Sequence, residues 1–528
     1  MRRLLLSVLL AGAFSAACQA FAAPAEYLAL VVIDGMRPDY MSLASMPNLK
    51  KLIGDGVYYD GAWVGGVVNN TPPSHASIST GCFTRTHGIV AFTWKDPATN
   101  RESNLTRPQP IENGEFAKVI SDHHVPSIAK SLRERYPDAR TVAAGAHKFH
   151  AVAGLAGDSA DYSIFIGGRP AGEQGEEGSS TDIGEGDFVR GQRPPAESMR
   201  KIMALTTAGD DWGMDAAIVM LNDVKPRALL VNLPAVDGTG HAVGGRRSPD
   251  KMTPVLENAD KQVGKLIEAY KKLGIYDKTV FVVTADHGMM ESQPPVAWET
   301  VDRAADKAAV GIVTSSGTGA IWISDSSKSK EVVDLIMAAN PPAAAAGYYK
   351  AREGGEFVYK PADATAKSID PGLAKTYAYL MSTIACPNGP DIFICSREMS
   401  RVPAGFPRRG KHYQLAWSTQ HIPMVFAGPG VRKGVISHSP ARLVDIAPTV
   451  LTLLGVQPKG MDGLPLADAM KTPGSALTQA QEQTNRTLIP LRDALRDQPK
   501  YEPGDNPTLP GRARAGGYRP SSRAPGGE

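Results

Sequence analysis

The chain has 528 residues, 42% hydrophobic and 21% charged, the balance of an ordinary globular protein with room for a large core or more than one domain. Its 57 Lys and Arg against 54 Asp and Glu give a formal net charge of +3, so no strong basic field draws it to nucleic acid or anionic lipid. No specific nucleic-acid binding is expected, and no stretch beyond the N-terminal leader is long and apolar enough to span a bilayer.

The first 22 residues read as a secretory signal peptide. Arg2 and Arg3 form the basic start, residues 4–14 the apolar stretch, and Ala20-Phe21-Ala22 the small-x-small cleavage site. A periplasmic or secreted protein is expected. Ser15, three positions before Cys18, is not the large aliphatic residue of a lipoprotein signal. Of the other cysteines, Cys386 and Cys395 bracket the turn-rich Pro387-Asn388-Gly389-Pro390, where an exported chain permits a disulfide. Cys82 reads as a small buried residue.

Apolar, β-branched runs predict strands over 28–33, 141–145, 228–233, 279–284, 320–324 and 422–427. Amphipathic stretches such as 127–135 and 257–273 alternate with them, which predicts an α/β layered fold with a largely parallel sheet. Ligands of such sheets sit beyond the carboxyl ends of the strands. Residues 23–470 are expected to form this domain, with insertions near 92–200 and 325–410. Within them, 167–195 reads as a mobile Gly/Glu/Ser/Asp-rich loop, and 325–410 as a smaller lobe over the site. In the last segment, 471–528, residues 476–496 predict one helix, and the Pro/Gly/Arg-rich 499–528 predicts disorder.

Carboxylates and imidazoles recur where these strands end. Asp34 follows the first strand, Asp237-Gly238-Thr239-Gly240-His241 the one over 228–233, and Asp286-His287-Gly288 the one over 279–284. His412 precedes the apolar run at 422. Mixed Asp/His clusters suit zinc, and with Thr71 they offer seven ligands, enough for two ions that hold an anionic ester. Gly238 and Gly240 are expected to bend the backbone so that Asp237 and His241 reach one ion. Asn69-Asn70-Thr71-Pro72-Pro73-Ser74-His75 places a hydroxyl at a predicted helix N-terminus, where backbone N–H groups favour an anion. Thr71 alone reads first as an N-cap; a metal that lowers its hydroxyl pKa makes it a nucleophile. His75 and His87 are expected to support that segment by hydrogen bonds. His421 is a weaker ligand candidate than His412, and His123, His124 and His438 read as ordinary polar residues.

These pieces together resemble the alkaline phosphatase superfamily, in the branch of nucleotide pyrophosphatases/phosphodiesterases and phosphate-irrepressible alkaline phosphatases. The matching segments are Val32-Ile33-Asp34-Gly35-Met36-Arg37, Thr71 to His75 with Thr80-Gly81 and His87-Gly88-Ile89, Asp237 to His241, Thr284 to Met289, and His412 with Ser418 to Pro423. The resemblance implies an alkaline-phosphatase-like fold with helices on both faces of the sheet and inserted cap segments. It implies one zinc on Asp34, Asp286, His287 and the Thr71 oxygen, and a second on Asp237, His241 and His412. It also implies attack by Thr71 on a small phosphoester, through a phospho-threonine that is then hydrolysed. Another divalent metal is open.

Two positions depart from the family pattern. Phe92 stands where relatives carry an Asn that contacts a phosphoryl oxygen. In Lys148-Phe149-His150 the Lys of a Lys-x-Arg pattern is kept, but His150 replaces the Arg and makes no bidentate contact. Lys148 favours the charged third oxygen of a monoester, while Phe92 and His150 leave room for a bulkier substituent. A phosphodiester or nucleotide pyrophosphate is therefore the expected substrate, with a phosphomonoester as the alternative. A sulfatase is disfavoured because formylglycine is made from Cys or Ser, and Thr71 supplies neither. An inactive metal-binding protein would have little need of Thr71 beside a full ligand set.

Overall fold

The computed structural model describes residues 25–166, 190–191, 194–292, 298–316, 319–341, 343–402, 409–412 and 415–502. The predicted leader, most of the 167–195 loop and the tail from 503 lie outside the described residues.

Nine strands form the central sheet. From one edge to the other they are Val435–Ser437, Gly56–Tyr59, Met424–Ala427, Thr279–Thr284, Tyr27–Ile33, Ala228–Leu233, Thr141–Ala144, Tyr162–Ile164 and Arg190–Gly191. The pairings from Thr279–Thr284 through to Tyr162–Ile164 are all parallel. Met424–Ala427 runs antiparallel to both of its neighbours. Every residue of Ala228–Leu233 and Thr279–Thr284 is buried. Successive side chains point to opposite faces, so both faces of the sheet are covered, which is why these strands read as mostly apolar rather than alternating. One covering layer contains the helix Pro249–Lys272, whose buried Leu256, Val263, Leu266, Ile267 and Tyr270 recur at helical spacing and which packs on the helix Gly209–Val224.

The strand expected over 320–324 belongs elsewhere. Ala320–Ile323 is part of a five-stranded antiparallel sheet with Ile312–Ser316, Ile392–Ser396, Ala344–Glu353 and Glu356–Pro361. Its own small core joins Ile321, Ile323, Val332, Val333, Ile336, Ile392 and Ile394. Lys95, on the short hairpin strand Trp94–Lys95, fastens this lobe to the main body. Its amine donates to Ile323 O, Ser326 Oγ and the fully buried Asp391 carboxylate at 2.6–2.8 Å.

Cys386 and Cys395, where an exported chain permits a disulfide, are unbonded. Cys395 is packed inside the strand Ile392–Ser396, while the 386–389 turn is closed by Gly389 N on Cys386 O and held by the Lys350 amine on Pro387 O and Gly389 O. Cys82 is buried, as expected for a small core residue. The predicted C-terminal helix forms as Ser475–Arg496. No helix among the described residues is long and apolar enough to cross a membrane.

Candidate functional site

Parallel register brings three carboxylates to one edge of the sheet. Val32 pairs with Thr284 and Ile33 with Leu233, so the chain after each strand emerges level with its neighbours. Asp34, Asp237 and Asp286 follow within four residues and are all buried. Gly35 N donates to Asp286 Oδ1 at 3.1 Å. Gly35 itself has φ +70°, and a Cβ there would lie 2.9 Å from Cα and Cβ of Asp237. Only glycine meets both requirements, the left-handed backbone and the close approach.

Asp237 and His241 are not on a bent turn. They lie four residues apart on one face of a regular helix, Ala235–Val243. The close approach in this region requires Gly410: a Cβ added to Gly410 would come within 2.2 Å of Gly240 O. This contact delivers the chain leading to His412.

Three imidazoles are oriented alike. Nδ1 of His241, His287 and His412 faces the backbone carbonyls of Gly410 (2.8 Å), Gly288 (2.9 Å) and Asn69 (3.1 Å). A carbonyl only accepts, so each Nδ1 carries a proton, and in the neutral ring each Nε2 presents a lone pair. Those lone pairs point at oxygens. His287 Nε2 lies 3.1 Å from Asp286 Oδ2 and 3.6 Å from Asp34 Oδ1. His241 and His412 Nε2 lie 3.4 and 3.5 Å from Asp237 Oδ1, and 3.0 Å from each other. Asp34 Oδ2, Asp237 Oδ1, Asp286 Oδ2 and His287 Nε2 are buried without a hydrogen-bond partner among the described residues. Burial, with the neighbouring Asp286, pushes the Asp34 carboxyl well above the ordinary carboxylate range. Converging acceptors of this kind are stable only around positive charge.

Three ligand trios lie within 4.8 Å internally: Asp237/His241/His412, Asp34/His75/Asp286 and Asp34/Asp237/His287. His75 enters the second by proximity, at 3.5 Å from Asp286 Oδ2. Its nitrogens are already used, Nδ1 on Thr71 O at 2.8 Å and Nε2 on the Asn232 amide at 3.0 Å. His75 therefore braces Thr71 against Asp286, and the donor set that fits cations is the Asp/His set without it. The hydrogen bond to Thr71 O is the support expected of His75 from the sequence; its approach to Asp286 is not foreseen there. His87 hydrogen-bonds Ser77 Oγ, and His421 faces Asp60 O away from the cluster.

Thr71 is the first residue of the buried helix Thr71–Thr80. The expected row of N–H donors is thinner than foreseen. Pro72 and Pro73 have no N–H, and Ser74 N is bonded to Asn70 O. The Lys148 amine reaches Asp34 Oδ1 at 3.0 Å and also bonds Asp237 Oδ2. Its side chain is only 11% exposed, so it is no solvated surface lysine. Phe92 and His150 meet edge to face with centroids 5.0 Å apart. Burial, with Lys148 nearby, pushes the His150 imidazole down to about 3, so it sits there neutral.

The sequence pattern of the type I phosphodiesterase / nucleotide pyrophosphatase family matches residues 28–384. The chain belongs to that family. Among curated relatives, bis(5'-adenosyl)-triphosphatase of Bos taurus is 24% identical over 268 residues, 50% of this chain and 48% of its own length. Ectonucleotide pyrophosphatase/phosphodiesterase family member 5 of Homo sapiens is 24% identical over 316 residues, 59% of this chain and 54% of its own. The chain thus spans about half the length of these relatives. Among solved structures, alkaline phosphatase PafA superposes with a TM-score of 0.66 at 17% identity, covering 86% of this chain and 100% of PafA. Murine family member 5, an inactive Thr-to-Ala form in complex with AMP, gives 0.56 at 19% identity, covering 83% of this chain and 97% of that one. The protein thus has the alkaline-phosphatase-like fold, and its Asp/His residues form candidate metal sites.

Proposed function

We propose that this family member is an exported two-zinc phosphoester hydrolase that favours phosphodiesters or nucleotide pyrophosphates. The observation that carries the reading is the convergence of three buried carboxylates and three Nε2 lone pairs beside the Thr71 helix. Asp34, Asp286, His287 and the Thr71 oxygen would hold one ion, and Asp237, His241 and His412 the other. The ions would supply Lewis-acid neutralisation of the phosphoryl charge and a lowered pKa at the bound hydroxyl. Three carboxylates against one Lys148 leave net negative charge for such cations to balance.

Thr71 Oγ loses its proton to solvent and attacks phosphorus. The bond from phosphorus to the leaving oxygen breaks, and that oxygen departs and takes up a proton from solvent, leaving a phospho-threonine. Water then gives up a proton and attacks that phosphorus, the bond from phosphorus to Thr71 Oγ breaks, and Oγ regains a proton. His75 holds the first turn of the helix in place through Thr71 O. The half-buried Phe92–His150 pair presents rings where a charged contact would grip a monoester's third oxygen, which favours a substrate with a second substituent. A curated relative's name, bis(5'-adenosyl)-triphosphatase, and the AMP complex of another support a nucleotide as that substituent. A phosphomonoesterase is the second reading, favoured by the Lys148 amine. Export rests on the leader at 1–22.

The test is turnover of p-nitrophenyl phosphate, bis-p-nitrophenyl phosphate and a thymidine p-nitrophenyl ester by the zinc-loaded protein, with metal analysis of the same sample. Thr71→Ala should abolish turnover while keeping about two zinc per chain, since six of the seven proposed ligands remain. Full activity in that variant would remove Thr71 from the mechanism, and a large monoester excess in the wild type would reverse the substrate preference.

A further inference from the structure

Asn70 occupies the N-cap of the Thr71–Thr80 helix in extended backbone, yet its side chain caps nothing. The reason is in the sequence. An N-cap side chain accepts from the second or third helical N–H, and here those residues are Pro72 and Pro73. The backbone carbonyl of Asn70 is used, by Ser74 N at 3.0 Å. The side-chain amide is fully buried, and neither its oxygen nor its nitrogen has a hydrogen-bond partner among the described residues. Ser74 Oγ, one helical turn along, is also buried and unpartnered among them.

The position of Asn70 is fixed from both sides. Asn69 O takes the His412 ring at 3.1 Å, and the Asn69 amide donates to Thr419 Oγ1 at 2.7 Å. Thr71 O takes the His75 ring at 2.8 Å, and that ring lies 3.5 Å from Asp286 Oδ2. Asn70 thus sits between the two halves of the carboxylate–imidazole cluster, next to the hydroxyl assigned to attack. A buried amide without partners destabilises a fold, and a bound group that supplies acceptors removes that penalty. A phosphoryl group held against Thr71 brings such acceptors. Lys148 and bound cations would neutralise its charge, whereas a fixed neutral donor orients it.

We propose that the Asn70 side-chain N–H donates to a non-bridging oxygen of the phosphoryl group held against Thr71, which makes Asn70 a substrate-binding residue. The inference rests on the phosphoester reading above. The test compares zinc-loaded wild type, Asn70→Ala and Asn70→Asp on bis-p-nitrophenyl phosphate and p-nitrophenyl phosphate. Zinc content, Tm and the rise in Tm caused by inorganic phosphate are measured on the same samples. Asn70→Ala should lose at least tenfold in kcat/KM on both substrates, with zinc unchanged, Tm equal or higher, and a smaller phosphate-induced rise. Asn70→Asp, nearly isosteric, should lose more, because its carboxylate faces phosphoryl oxygens. Activity within twofold of wild type in Asn70→Ala would overturn the proposal. So would a loss accompanied by falling Tm or zinc content, because the amide would then be supporting the fold or the metals. A wild type that binds phosphate but turns over neither ester fails the hydrolase reading alone. The phosphate-induced Tm difference between wild type and Asn70→Ala still decides the role of Asn70.

Discussion

Replacing Lys148 with Met asks what balances the buried carboxylates. The amine reaches Asp34 and Asp237, its side chain is 11% exposed, and both carboxylates are buried. Without metal, Lys148→Met leaves these two acids without their nearest cation. Removing one partner of a buried pair costs about 3–5 kcal/mol. A chain of 528 residues unfolds with an entropy on the order of 1 kcal/mol/K, so the metal-free variant should melt about 3–5 °C lower. With both metal sites filled, divalent ions neutralise the same oxygens and the loss should shrink to about 1 °C. Calorimetry or dye-based melting of wild type and Lys148→Met, each with chelator and with zinc, measures the difference. Kinetics add a second readout: monoester turnover should fall more than diester turnover, because only the monoester has a third charged oxygen. Equal Tm losses in both metal states, or none with chelator, would refute the reasoning, since Lys148 would then not share its partners with the ions.

Two further outcomes follow from contacts at the same edge. The double variant Phe92→Asn/His150→Arg replaces a ring pair at 5.0 Å with an amide and a guanidinium, and a new charge-assisted contact is worth ~1.5–3 kcal/mol. The ratio of p-nitrophenyl phosphate to bis-p-nitrophenyl phosphate turnover should rise by roughly tenfold or more; an unchanged ratio means that the pair faces away from substrate. Gly35→Ala forces φ +70° on a residue with a Cβ and drives that Cβ against Asp237. It should lower Tm by about 1–3 °C and reduce zinc content, and a variant with wild-type metal content and Tm would show that this close approach relaxes at little cost.

Much of this edge was legible because strand burial and ligand position are the same signal. Asp34, Asp237 and Asp286 each follow a run so apolar that it had to be a covered parallel strand, and parallel register then aligns their ends without further information. The 320–324 run obeyed the same local rule but joined another sheet, because pairing partners are a non-local property. The strands Ala344–Glu353 and Glu356–Pro361 escaped notice because they are half exposed and carry Lys, Arg and Glu. The Asp237–His241 spacing was read as a bend because glycine is a poor helix former. The close approach of Gly410 to the Gly240 carbonyl joins positions far apart in the chain.

From the sequence, His287 is expected as a ligand and His75 as support, and the hydrogen bonds supply a physical reason for that division. Both rings lie within 3.5 Å of Asp286. What separates them is which nitrogen is already spent: His75 uses both, on Thr71 O and Asn232, and His287 uses only Nδ1. Residue type and spacing list the histidines, but only the hydrogen bond behind each ring decides which lone pair is offered. The same accounting exposes Asn70, whose amide is idle because two prolines follow Thr71. On the proposed reading, the groups left over after the fold has satisfied itself are the ones that would receive a phosphoryl group and its counter-ions.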